Sequence, residues 1–175
     1  MILLPLIALV LASAGCRERT DRSEGSVILS ITDFDGLPVV ISSTDPAPIL
    51  VEEIEIQNFA KQPDGTTSDL QSVELRSYEV RYTRRDTGRR VPPPTVQGIF
   101  GIVPVNGSMT IQDIPVVFSD QLLNPPISDL SRTGIDSETG STIVVLNVSI
   151  RFFGRTLAGD DVATEPATFT MEVRP

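Results

Sequence analysis

Two runs of strictly alternating side chains near the end of the chain constrain its fold more than any other feature. Val144, Leu146, Val148, Ile150 and Phe152 fall on one parity, and Ala167, Phe169, Met171 and Val173 repeat the pattern after a short gap. A period of two puts one apolar row on one face of a β-strand, so both runs read as strands with a buried and a wet side. Gly159-Asp160 between them suits a two-residue type II′ turn, because glycine supplies the positive φ at the first position. That turn predicts Phe152 opposite Ala167, Ile150 opposite Phe169, Val148 opposite Met171 and Leu146 opposite Val173. Every apolar side chain then meets another, and a slip of one residue would turn a whole row to solvent.

The same reading extends upstream. Candidate strands cover 26–32, 37–42, 49–57, 71–84, 98–105, 108–118, 143–158 and 161–174. Asn106-Gly107 predicts a second hairpin through a type I′ turn, with Ile102 opposite Ile111 and Pro104 opposite Met109. Pro104 and Pro115 cannot donate to a ladder, so these strands belong at an edge or beside a bulge. The apolar parity changes between Leu75 and Tyr78, which predicts a bulge there. The Pro-rich stretches 91–94 and 124–126 read as extended connections. No segment carries a helical period, and at most a short turn covers 119–123. With β-branched residues frequent and one lysine, Lys61, the expectation is an all-β domain, a β-sandwich of seven or eight strands. The pattern resembles that of immunoglobulin-like and fibronectin type III-like domains.

The N-terminal part obeys other rules. Residues Ile2–Ala14 are almost wholly apolar, interrupted by Pro5. Such a stretch makes about 20 Å of helix, short of a hydrocarbon core of roughly 30 Å, so it fits the apolar region of an export signal better than a membrane span. It ends in Leu11-Ala12-Ser13-Ala14-Gly15-Cys16, and Cys16 is the only cysteine. No internal disulfide can form. This segment resembles the lipobox of bacterial lipoproteins. The resemblance implies a signal peptide over 1–15, and a diacylglycerol, with chains such as palmitate, on the Cys16 sulfur. It also implies an anchor in the cell envelope, in an outer membrane if the host has one, since Arg17 is not the aspartate associated with inner-membrane retention. The plainer alternatives are an ordinary export signal that happens to stop at a cysteine, or a buried N-terminal strand. Residues 17–25 (RERTDRSEG) hold no apolar side chain and read, with Cys16, as a lipidated charged tether over 16–25. Residues 26–175 then form the folded domain.

The chemistry available to that domain is narrow. The net charge of −9 repels nucleic acid, so no nucleic-acid partner is expected. The chain has no histidine, which excludes a Ser-His-Asp triad and imidazole metal ligands. Lys61 with Ser68 could form a dyad, although a solvated lysine is the simpler reading. Glu52, Glu53 and Glu55 are the densest acidic group, with Glu53 and Glu55 expected on the solvent face and Glu52 at a bulge. Asp33-Phe34-Asp35-Gly36 and Asp160-Asp161 have oxygen ligands of the kind calcium takes, yet Asp and Gly are also what turns require. No catalytic residue, cofactor or metal is assigned.

One stretch stands apart. Residues 81–90 (RYTRRDTGRR) carry five Arg against one Asp, a local charge of +4. Asp86-Thr87-Gly88 reads as a turn that brings Arg84, Arg85, Arg89 and Arg90 to a loop tip. The functional reading is an anion contact with lipid headgroups, an acidic polysaccharide or an acidic envelope protein; the plainer one is solvated charge paired with nearby carboxylates. The expected function is a non-enzymatic, lipid-anchored envelope module with a structural or protein-interaction role. The alternative is a surface module that binds polysaccharide or calcium.

Overall fold

A computed structural model describes residues 25–175 except Pro46 and Pro63. The stretch read as a signal peptide, Cys16 and nearly all of the stretch read as a tether therefore lie outside the described residues. The described chain is a two-layer β structure. Strands β1 (Val27–Asp35), β3 (Ile49–Ala60) and β6 (Ser108–Val117) form one sheet in the order β1-β3-β6. The larger sheet runs β2-β9-β7-β4-β5, from β2 (Val40–Ser42), β9 (Ala167–Arg174), β7 (Val144–Thr156), β4 (Val73–Arg84) and β5 (Thr95–Val103). A short β8 (Asp161–Ala163) pairs with β7, and β2 lies parallel to β9 while the other pairings are antiparallel.

The alternation in the sequence builds the core directly. On β7, Val144, Leu146, Val148, Ile150 and Phe152 are all fully buried, and Val80 and Tyr78 of β4 lie beside them. From the facing sheet come Val51, Ile54, Ile56, Ile111 and Ile114. The Tyr78 and Phe152 rings sit 5.7 Å apart, tilted by 34°. Burial pushes the Tyr78 hydroxyl up to about 12, and it donates to the Pro115 carbonyl across the two layers.

The bulge falls where parity predicts it, between Leu75 and Ser77. The C-terminal register, however, slips by two: Ile150 faces Ala167, Val148 faces Phe169, Leu146 faces Met171 and Val144 faces Val173. Its cause is the loop. Gly159 donates to the Thr156 carbonyl and Thr156 to the Asp160 carbonyl, which closes a three-residue loop with Gly159 third, at φ 102°. That is the three-residue hairpin with a left-handed glycine rather than the two-residue turn. The loop shifts the pairing by three positions. Glu165 and Pro166 then stand opposite Arg151 alone, a bulge that returns one of the three. The even net slip leaves every apolar residue on its expected face.

The Asn106-Gly107 hairpin does not form. β5 pairs with β4 and β6 with β3, so the connection crosses from one sheet to the other. Gly107 donates to the Pro104 carbonyl, with Asn106 at φ 54°. The Asn106 side chain accepts from Ala60 and the Gly107 carbonyl from Asn58, so β3 holds this turn. Both proline-bearing segments do lie at sheet edges.

Two short helices, α1 (Ser119–Leu122) and α2 (Ile127–Thr133), connect β6 to β7. The turn over 119–123 thus appears as α1, while 124–126 is the entry to α2 rather than an extended linker. α2 buries Ile127 and Leu130 and stops at Gly134, in the left-handed region at φ 73°. Gln121 of α1 is buried and ties the layers together. Its Nε2 donates to Pro93 O and Thr95 Oγ1, both at 2.6 Å, and its Oε1 lies 3.0 Å from the Tyr82 hydroxyl.

Candidate functional site

The arginine-rich segment begins inside a strand rather than at a tip. Arg84 is the last residue of β4, and the N–H of Arg85 still donates to Val145 O of β7. The Arg84 side chain is therefore carried over the end of the sheet and is only 2% exposed. Its Nε and Nη2 each donate to one Asp86 carboxylate oxygen at 2.7 Å, a bidentate fork. Nη2 also donates to Asp136 Oδ2 at 3.0 Å, and Nη1 to the Arg90 carbonyl at 3.3 Å. Asp86 Oδ1 accepts from the Gly88 N–H, which makes the predicted turn. Glycine is required at 88 because a Cβ there would lie 2.5 Å from the Arg84 guanidinium carbon.

Asp136 supplies the other half. It is fully buried in the segment between α2 and β7, where its Oδ2 accepts from the Thr139 N–H and hydroxyl as well. Glu138 Oε2 accepts the backbone N–H groups of Arg89 and Arg90 at 2.7 and 2.9 Å. The Arg90 guanidinium reaches Ser137 and stands 3.6 Å from Asp129. Two loops far apart in sequence are thus clasped by ion pairs.

The electrostatics follow. Burial works against the Arg84 charge, but Asp86 and Asp136 more than offset it and hold the guanidinium above its ordinary value. The Arg84 hydrogen bonds hold Asp86 below the usual carboxylate range. Burial raises Asp136, yet the Thr139 and Arg84 hydrogen bonds win, and it too is lowered. Glu138 is lowered by the two arginine N–H groups it accepts. All three carboxylates stay ionised at neutral pH, so none is a proton donor there, and their bases are weakened.

The sequence expectation for this segment needs correction. Arg84 is not a tip residue, and replacing it would not spare the fold. The local +4 also shrinks: Asp129, Asp136 and Glu138 bring it to +4 − 3 = +1, and Glu79, paired with Arg81 at 2.8 Å, brings it to zero. Arg85 and Arg89 are exposed, and neither makes an ion pair among the described residues. Arg85 only brushes Thr170 of β9 at 3.4 Å. The partners Asp129, Asp136 and Glu138 were missed because nothing in their spacing marks which loop they face.

The remaining acidic and nucleophilic candidates are scattered. Glu52, Glu53, Asp35 and Asp113 line an open depression at the margin of the smaller sheet. Asp33 and Asp35 accept from the N–H of the next residue, Phe34 and Gly36. Asp161 lies near the opposite end of β1, beside Gly25 and Val27, so the two aspartate pairs do not converge. Among the described residues no three acidic or cysteine side chains are grouped to hold a metal ion. Ser68 Oγ caps a 3₁₀ turn by accepting from Leu70, and Lys61 lines a different feature, an open cleft of about 440 Å³ with Arg151 and Phe153. Leu50 is exposed whereas Ile54 and Ile56, of the same parity, are buried, because the strand alternation breaks at Glu52, opposite Asp113 at φ 54°. No protein-family model, no curated protein and no solved structure matches the chain.

Proposed function

We propose that the chain is a lipid-anchored, non-enzymatic module of the cell envelope, built to hold an interaction surface close to a membrane. The observation that carries this reading is where the folded part starts. β1 begins at Val27, directly after the stretch read as a lipid-accepting Cys16 and a charged tether. Nine tether residues span roughly 15–18 Å on average and about 30 Å when straight, which would keep the domain within that distance of the bilayer. The fate of the charged groups adds support: the carboxylates with depressed pKa values are consumed in a clasp that joins loops. Strand order favours the finer description of an immunoglobulin-like or fibronectin type III-like sandwich. Those folds set strands A, B and E in one layer against C, F and G, an order that β1-β3-β6 against β9-β7-β4 parallels.

Replacing Cys16 with Ser is expected to move the protein from the membrane fraction to the soluble envelope fraction. Mass spectrometry of the native protein should show an acylated N-terminal cysteine; a chain that starts elsewhere with an unmodified thiol would overturn the anchor. An anion contact, if the segment makes one, falls to Arg85 and Arg89. Changing both to Ser should leave thermal stability within about ±0.5 kcal/mol, as for other exposed sites. In a Cys16→Ser background, which removes the acyl anchor, the same change should weaken low-salt binding to anionic liposomes by about 1 kcal/mol for each arginine. Equal liposome binding with and without the two arginines in that background would leave them as solvated charge.

A further inference from the structure

We propose that β5 is a self-pairing edge, through which two copies of this chain join their larger sheets antiparallel about a two-fold axis at Ile99. This deepens the interaction role proposed above by naming its partner, but it does not depend on the lipid anchor.

The case starts from the edges of the two sheets. Natural edge strands are kept short, charged or interrupted by proline, because their unpaired N–H and C=O groups recruit other strands. Three of the four outer strands here follow that rule. β1 carries Asp33 and Asp35, β6 carries Asp113 and Pro115, and β2 is three residues long. β5 has none of these, and its one irregularity is a bulge that sets Ile99 and Phe100 opposite Arg76 of β4. Its nine residues, TVQGIFGIV, contain neither a charge nor a proline. Pro94 and Pro104 flank it and limit any pairing to this segment.

The face that β5 turns away from the core is also unusual. Val96, Phe100 and Ile102 are 61%, 76% and 49% exposed. Gly98 sits in the same row, and a Cβ built on it would meet nothing within 4 Å. Among the described residues no side chain fills that space, and Gly98, paired with Ser77, borders the β5 bulge. Gly101, by contrast, lies under Met109, where a Cβ would come within 2.3 Å. Glycine inside a strand marks a bulge or a place where another backbone approaches, and an aromatic ring laid across it restores the lost packing.

The midpoint of Thr95–Val103 is Ile99, so a two-fold axis there uses the whole strand. It sets Phe100 of each copy over Gly98 of the other and Val96 against Ile102. A large exposed ring meets an open gap twice, which is the self-complementarity a two-fold interface needs. Charge does not oppose it despite the acidic body. The neighbouring outward residues on β4 pair among themselves, Glu74 with Arg76 and Glu79 with Arg81, and leave the flank neutral. An edge contact of this kind belongs with interfaces below about 1,200 Å², so the dimer should be weak and dependent on concentration.

The test is disulfide trapping in the full-length chain in its own membranes, with the parent chain, which keeps Cys16, as the baseline. A Val96→Cys/Ile102→Cys double variant places each new thiol opposite the other on the second copy. In either single variant the two thiols sit six residues apart along the paired strands, about 20 Å, and cysteines with Cα atoms beyond about 7 Å cannot be bridged. The double variant is expected to give at least about fivefold more covalent dimer than either single variant under mild oxidant. Equal yields from double and single variants would overturn the register and the proposal with it. Sedimentation equilibrium of the detergent-solubilised chain gives a second readout that needs no cysteine. Phe100→Ser should weaken self-association about tenfold or more, since a central aromatic anchor dominates a small interface, while the melting temperature stays unchanged. A native chain that remains monomeric, or a Phe100→Ser chain that associates as well as the native one, overturns the proposal. Retention of the Cys16→Ser protein in the membrane fraction, which would count against the anchor, would leave the sedimentation result untouched.

Discussion

Arg84→Met should destabilise the protein by about 3–5 kcal/mol, the cost of leaving one partner of a buried ion pair without the other. With a urea dependence of roughly 2 kcal/mol per molar, the unfolding midpoint would fall by roughly 2 M. The size follows from burial. The Arg84 side chain is 2% exposed and Asp136 is 0% exposed. Removing the guanidinium therefore strands a carboxylate that water cannot reach. Arg90→Ser is the control from the same clasp. Its side chain is 45% exposed and its nearest carboxylate oxygen is 3.6 Å away, so the loss should stay within about 1 kcal/mol. Equal costs for the two substitutions would mean that the buried pair does not hold the loops. The clasp also sets a pH dependence. Asp86 and Asp136 have folded pKa values below their ordinary range, so their contribution is complete above the unfolded value of about 4. It is lost as the pH falls through the lower folded values. The native protein should lose stability on acidification below about pH 4 more steeply than Arg84→Met, in which much of that contribution is already gone.

What the sequence could reveal about this fold depended on the kind of information each pattern holds. Alternation reports which face a side chain takes, and it did so along β7 and β9. It is blind to a slip of two, because an even shift preserves every face. The true register was therefore decided by Gly159 standing third in its loop and by the Glu165-Pro166 bulge. Asn106-Gly107 marks a turn equally well whether its flanking strands pair or part. Here the anchors on β3, Asn58 and Ala60, decided for parting. α2 escaped notice because seven residues with two buried anchors, Ile127 and Leu130, are too few to show a period. The arginine segment was visible as a charge cluster. The burial of Arg84 within it was not, since that depends on Asp136 reaching Arg84 from 52 residues away.

Ile150→Asp should unfold the domain outright, while Ser149→Asp, one residue earlier, should be tolerated. Ile150 is fully buried at the centre of β7, between Val80 on β4 and Ala167 on β9. An aspartate there loses several kcal/mol of apolar burial and also brings a carboxyl into a site with no hydrogen-bonding partner. It must then either carry its charge into the core or take up a proton, and both routes cost several kcal/mol against a total stability of about 5–15 kcal/mol. Ser149 points the other way. It pairs with Arg81 on β4 and Thr168 on β9, and it lines an open depression with Glu79, Arg81 and Arg151. A new carboxylate on that face keeps its water and meets two arginines against one glutamate, so the change should stay within about 0.5 kcal/mol. Circular dichroism and soluble yield distinguish the outcomes. A folded, cooperative Ile150→Asp protein would show that β7 does not present this parity to the core. A slip of two would not rescue such a result, because it moves partners along the strand and never turns Ile150 to the solvent face.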